Sequence, residues 1–296
     1  MVHTVRPRRS ILFMPGSNAR ALEKARTLAA DGCIFDLEDA VAPDAKGTAR
    51  TLVCDAVRTG GYGQRELIVR VNALDTPWGQ DDLAAVAQCG ADAVLIPKVE
   101  SRTTVCKVVH VLSTHGAPEH LALWCMLETP RGILHAEEIA AVSPRLAALV
   151  MGTSDLTKDL HARHTRDRLP LLTSLGLVVL AARAYGLAVL DGVHLDLHDD
   201  EGFASACRQA ADMGFDGKTL IHPKTIAVAN ATFAPTPEEV VLARTIIAAY
   251  AEATTQGKGV VVVDGRLIEQ LHVDNAQRIV ALADAIAARE ATGDQG

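Results

Sequence analysis

The chain has 296 residues, 49% of them hydrophobic, enough for one large domain with an ample core or for two smaller ones. A formal net charge of −7 argues against a nucleic-acid binder, and an aromatic content of 3% argues against stacking platforms for bases. No apolar run approaches the roughly 18 residues of a membrane helix, and the first apolar stretch is too short for a signal segment, so a cytoplasmic protein with no membrane partner is expected.

Eight short apolar runs follow in chain order: SILFMPG (10–16), GCIFDLED (32–39), ELIVRVN (66–72), DAVLIPKVE (92–100), LALWCMLE (121–128), LAALVMG (146–152), LAVLDGV (187–193) and FDGKTLIHP (215–223). Amphipathic segments of helical period separate most of them, such as ARALEKARTLAA (19–30) and EGFASACRQAADMG (201–214). Near-continuous apolar strands alternating with helices predict a parallel sheet covered on both faces, and eight such units predict an α/β (β/α)8 TIM barrel. A doubly wound open sheet is the rival, and the absence of GxGxxG after the first run counts against it. Six cysteines (33, 54, 89, 106, 125, 207) form no CxxC pair and sit mostly among apolar residues, so reduced, buried thiols are expected.

After about residue 225 the pattern changes. TPEEVVLARTIIAAYAEATTQ (236–256) opens with a helix start at Pro237, GVVVVDGRLIE (259–269) reads as a hairpin turning at Asp264-Gly265, and NAQRIVALADAIAARE (275–290) reads as a closing helix. The expected division is a barrel domain at 1–225 and an extension at 226–296 that covers the barrel mouth or a neighbouring subunit.

In such a barrel the chemistry belongs at the carboxyl ends of the strands. Those ends carry Glu38 and Asp39, Arg70 and Asn72, Lys98 and Glu100, Glu128, Asp155, Asp191 and His222, while the opposite ends read as less decorated. Glu128 and Asp155 end adjacent strands and form the best metal pair; with no His or Cys beside them, an all-oxygen site suits Mg2+ or Mn2+. Ser154 or Asp155 would alternatively cap the helix that follows, and free N–H groups around Gly152 and Ser154 suit a substrate carboxylate. Three acids within four positions, Asp36, Glu38 and Asp39, require something positive nearby; Glu38 and Asp39 are expected to hold metal-bound waters. Arg70 suits a clamp on a substrate oxygen, with a structural partnership to Glu38 or Asp39 as the alternative. Arg20 and Lys24 follow MPGSN and suit a phosphate-bearing ligand, with a solvated helix face the better reading for Arg20. Lys98 and Lys218 raise a Schiff-base aldolase, though Lys98 reads better as the partner of an acid.

The stretches RRSILFMPGSN, FDLEDAVAPDAKGTAR, VRVNALDTPWGQDDL, IPKVE, LETPRGI, MGTSDLTKDL, GFDGKTLIHPKTI and NATFAPTPEEV occur in this order. Together they resemble the citrate lyase beta-subunit-like group of acyl-CoA lyases, relatives of malyl-CoA and citramalyl-CoA lyases in the HpcH/HpaI aldolase superfamily, from about residue 8 to 290. The resemblance implies a Mg2+ site at Glu128 and Asp155, a substrate-binding Arg70, a CoA thioester approaching near Lys24, and a homo-oligomer, commonly a trimer or hexamer. It also implies a C-terminal acid that serves a neighbouring subunit's site. Here GRLIE places Glu269 where an Asp is usual in such relatives. The activity expected is Mg2+-dependent retro-Claisen cleavage of a 3-hydroxy-dicarboxyl-CoA thioester into an acyl-CoA and a small 2-oxoacid. The alternatives are a thioesterase or condensing synthase at the same site, a Schiff-base aldolase, or a lyase subunit acting on a carrier-protein thioester.

Overall fold

The computed structural model describes residues 5–293. Eight parallel strands close into a barrel in sequence order: β1 (Ser10–Pro15), β2 (Gly32–Asp36), β3 (Glu66–Arg70), β4 (Ala93–Ile96), β5 (Ala122–Leu127), β6 (Leu146–Met151), β7 (Ala188–Asp191) and β8 (Gly217–Leu220), with β8 returning to pair with β1. All eight fall within the eight apolar runs, and helices connect them on the outside. The alternation of side chains along each strand splits the core into two layers. Ile11, Ile34, Ile68, Leu95, Trp124, Met126, Val150 and Leu190 pack together inside the barrel. Their neighbours in sequence, Leu12, Cys33, Phe35, Val69, Val94, Cys125 and Leu149, join the larger cluster between sheet and helices.

One expectation about charge fails. The amino-terminal ends of the strands are also richly charged: Arg9 pairs with the fully buried Asp31, and Arg8 with Glu66. Asp31, Asp92 and Asp216 there accept backbone N–H groups of Arg9, Leu67 and Val189. These acids tie strand starts together, and linear reading separates them poorly from loop residues because each lies just before or at the edge of its apolar run.

The barrel unit spans Arg8–Phe233 and so takes in the helix Ile226–Thr232. A second compact unit is built mainly from the chain after Phe233. Its helix Pro237–Thr255 starts with a full capping box, Thr236 accepting from the Glu239 N–H while the Glu239 side chain accepts from Thr236. The hairpin is β9 (Val261–Val263) and β10 (Arg266–Ile268), turning through Asp264 at φ 47° and Gly265 at φ 76°, the two left-handed residues of a type I′ turn. The closing helix is longer than expected, Gln270–Gly293. Val263, Ile268 and Val273 make this unit's own small core. None of the six cysteines forms a disulfide, and five are buried; Cys106 is exposed. Among the described residues no helix is long and apolar enough to cross a membrane.

Candidate functional site

The inward parity of the strands builds the site. Two residues beyond interior Ile34, Ile68 and Met126 stand Asp36, Arg70 and Glu128, so the same alternation that fills the barrel with hydrocarbon delivers these polar groups to its carboxyl mouth. Adjacent pairing places Asp36 opposite Arg70 and Leu127 opposite Met151. The mouth opens as a cavity of about 440 Å3 lined by Phe13, Asp36, Arg70, Glu128, Ser154 and Asp155, among others.

Arg70 answers the three acids of the second run. Its Nε and Nη2 donate to the two carboxylate oxygens of Asp36 at 2.6 and 2.7 Å, and Nη1 lies 2.9 Å from Glu38 Oε2 and 3.4 Å from Asp39. Asp36 also accepts the N–H groups of Glu38 and Ala40. Burial works against the guanidinium charge, yet Asp36, Glu38 and Asp39 outweigh it and hold Arg70 protonated. Asp36 is therefore the principal structural partner, and Asp39, whose side chain is 65% exposed, touches Arg70 only at the rim. The buried Lys46 of the same segment donates to Leu37 O, Glu38 O and Asn72 Oδ1, fixing the loop without meeting a carboxylate.

Glu38 and Glu128 meet through Lys98. The Lys98 N–H donates to Glu128 Oε1 at 2.8 Å, and its ammonium donates to Glu38 Oε1 at 2.6 Å and lies 3.7 Å from Asp155 Oδ2. Burial, then the Glu38 charge, pushes Glu128 up to about 7; burial likewise raises Glu38. Gly152 is required at the end of β6: a Cβ there would come within 2.3 Å of Glu128 Cβ and 2.4 Å of its Oε2.

The mouth meets the requirements of a hard divalent cation. The available donors are carboxylate oxygens, Glu128 buried and Asp155 one-third exposed, accompanied by a stand-in cation, the Lys98 ammonium. Two polar atoms there lack hydrogen-bond partners: Glu38 Oε2, which has the Arg70 ion pair only, and Ser154 Oγ. Among the described residues no three His, Cys, Asp or Glu side chains converge on one point, so an ion at Glu128 and Asp155 would take its other ligands from water and substrate, the habit of Mg2+.

The remaining expected residues divide between the mouth and the rest of the fold. The helix after β6, Thr153–Asp159, is capped by Gly152 without a side-chain bond, so neither Ser154 nor Asp155 is its cap; Asp155 lies in the first turn and lines the cavity. Glu38 faces Arg70 and Lys98, the place expected of a holder of metal-bound waters being taken by cations. Lys24 and Arg20 are exposed on the helix Ala19–Ala25 and do not line the cavity. His222 is exposed, accepts the Lys224 N–H and does not line the cavity. Lys218 is buried and donates to Asp191 at 2.5 Å, with Arg168 on the same carboxylate, and it lines a neighbouring cavity and not the one that holds Arg70 and Glu128. Glu269 lies exposed in the second unit, its N–H donating to His272 Nδ1. The sequence gives no sign that Asp36, and not its two acidic neighbours, is the main partner of Arg70, although counting every second residue from Ile34 places it at the mouth.

A closed eight-stranded barrel with an acidic, arginine-clamped mouth defines a class of enzyme. The sequence model of the HpcH/HpaI aldolase/citrate lyase family matches residues 9–223, and the chain belongs to that family, an aldolase/lyase superfamily of enzymes. It is 53% identical to a (3S)-malyl-CoA thioesterase of Cereibacter sphaeroides (strain KD131 / KCTC 12085), over 99% of this chain and 100% of the relative. It is 36% identical to the citrate lyase subunit beta of Escherichia coli K12, over 96% of each. Among solved structures, CitE from Mycobacterium tuberculosis in complex with magnesium, acetoacetate and coenzyme A superposes with a TM-score of 0.74 at 31% identity, covering 94% of this chain and 98% of that one.

Proposed function

We propose that the chain is a Mg2+-dependent enzyme acting on a malyl-CoA-type 3-hydroxy-dicarboxyl thioester at the barrel mouth, and that it hydrolyses the thioester. The observation that carries the substrate class is the pairing of an all-oxygen acidic site, Glu128 and Asp155, with the buried Arg70 across one cavity. Hydrolysis is favoured by full-length identity of 53% to a malyl-CoA thioesterase, against 36% to citrate lyase beta subunits.

Glu128 and Asp155 would hold the metal, which when bound supplies Lewis-acid polarisation of a substrate oxygen. Arg70, locked by Asp36 and permanently charged, presents a fixed positive edge to oxygens on which negative charge develops. Because Asp36 fixes two of its nitrogens, that edge needs little reorganisation during reaction. Phe13, whose ring lies 4.9 Å from the Arg70 guanidinium carbon, lines the same cavity and shields this charge from water. The Ser154 hydroxyl and the N–H groups of Thr153 and Ser154 are the proposed contacts for a substrate carboxylate; the Gly152 N–H expected to join them is already donated to Leu127 O at 3.0 Å. Glu269 is the proposed acid/base, a role carried by its motif; Lys24 is the proposed contact for the CoA phosphates, and the working form is proposed to be a homo-oligomer.

Retro-Claisen cleavage of the same thioester is the second reading, favoured by family membership. Product analysis with malyl-CoA separates the two: free malate plus CoA supports hydrolysis, acetyl-CoA plus glyoxylate supports cleavage, and no consumption of any hydroxyacyl-CoA contradicts both.

A further inference from the structure

Lys98 follows Pro97 at the mouth end of β4 with φ at 49°, a left-handed backbone that residues with a side chain seldom adopt. The turn has a clear consequence. It aims the Lys98 N–H at Glu128 while the side chain doubles back to Glu38 and comes within 3.7 Å of Asp155. One residue thus touches both proposed metal ligands and the acid beside Arg70. Its side chain is 42% exposed, so the ammonium could remain in water, yet it points into the acids. On its other side Lys98 lines a separate cavity of about 570 Å3 whose wall carries Asp75 and Glu100 as well as Lys107 and His110, which gives the ammonium room to swing away from the mouth.

We propose that Lys98 is a tethered counter-cation that holds the acidic mouth together before the metal arrives, withdraws toward the neighbouring cavity as it binds, and thereby sets the metal affinity. The inference rests on the reading of Glu128 and Asp155 as metal ligands. Two like-charged cations compete for the same carboxylate oxygens and repel one another at a separation of a few ångströms, a term that partial exposure weakens without abolishing. Lys98 is therefore a positioning residue, and its removal has opposite effects on the metal-free and metal-bound forms. A merely structural lysine would weaken both.

The test is calorimetric titration of Mg2+ into the wild type, Lys98→Met and Asp155→Asn, with melting temperatures measured in EDTA and in excess Mg2+. Lys98→Met is expected to bind Mg2+ about tenfold more tightly than wild type. It should melt lower in EDTA and gain more from Mg2+, while Lys98→Arg, which keeps the charge, stays near wild type. Unchanged or weaker Mg2+ binding by Lys98→Met overturns the inference while leaving the metal site standing. Absence of Mg2+ binding by the wild type, or equal binding by Asp155→Asn, overturns the metal site itself and this inference with it. If Lys98→Met fails to fold, Lys98→Gly, which accepts the positive φ, carries the same test.

Discussion

Arg70 and Asp36, opposite each other on β3 and β2, form a two-pronged ion pair at 2.6 and 2.7 Å with side chains 9% and 3% exposed. A buried pair of this kind is a positioning device more than a source of stability, but removing one partner strands the other charge. Asp36→Ala should therefore destabilise the fold by about 3–5 kcal/mol, seen in chemical denaturation. Arg70→Lys keeps the charge and loses the fork, so it should fold and lose about 10²–10³ in kcat with a smaller change in KM. Unchanged kinetics in Arg70→Lys would reassign Arg70 to structure alone.

Glu128 and Asp155 should supply the metal's protein oxygens. Asp155, one-third exposed in the first turn of its helix, can be neutralised with little cost to the barrel. Asp155→Asn should keep the wild-type circular dichroism spectrum while its Mg2+ affinity falls by at least about tenfold, as expected when one of two carboxylate ligands is lost. Wild-type affinity in a folded Asp155→Asn protein would remove Asp155 from the site.

Glu128 also predicts a pH signature. Its carboxyl is raised from an ordinary 4.5 to about 7, first by burial and then by the Glu38 charge. Between these values the folded, metal-free chain holds a proton that the unfolded chain has released, so this group makes stability fall as pH rises from about 4.5 to about 7. Urea denaturation in EDTA at several pH values should show that decline in the wild type and a shallower one in Glu128→Gln. Parallel profiles would show that Glu128 titrates normally.

Glu269 separates two accounts of the second unit. As the reaction's acid/base, its replacement in Glu269→Gln should leave folding and Mg2+ binding intact and lower kcat by about 10²–10⁴. As an exposed acid just before the closing helix, where the dipole favours it, it should tolerate the change with full turnover. Steady-state kinetics on purified, folded variant decides between them.

The barrel was legible because its signal is repetitive: eight short apolar runs, most of them separated by segments of helical period, leave little freedom in how the chain is layered. Glu128, Asp155 and Arg70 were legible for a related reason, each being the first charged group at or just beyond the mouth end of its strand. Partner choice was not. Asp36 reads as one acid among three until strand parity separates it from Asp39. The Lys98 bridge depends on a left-handed backbone after Pro97, which no residue type there announces, since Gly or Asn would be the usual occupant. The acids Asp31, Glu66 and Asp92 at the opposite rim satisfy arginines or backbone N–H groups from other strands, contacts that run across the fold and leave no periodic trace along the chain.

The most direct measurement is the loss of malyl-CoA thioester, followed by its ultraviolet absorbance with products resolved by chromatography, for wild type and Glu128→Gln with excess Mg2+ or with EDTA. The account predicts turnover to malate and CoA by wild type with Mg2+, and rates lower by at least about 10²-fold in EDTA or in Glu128→Gln, since several kcal/mol of charge stabilisation are then absent. Undiminished turnover in EDTA, or by a folded Glu128→Gln protein, would contradict it.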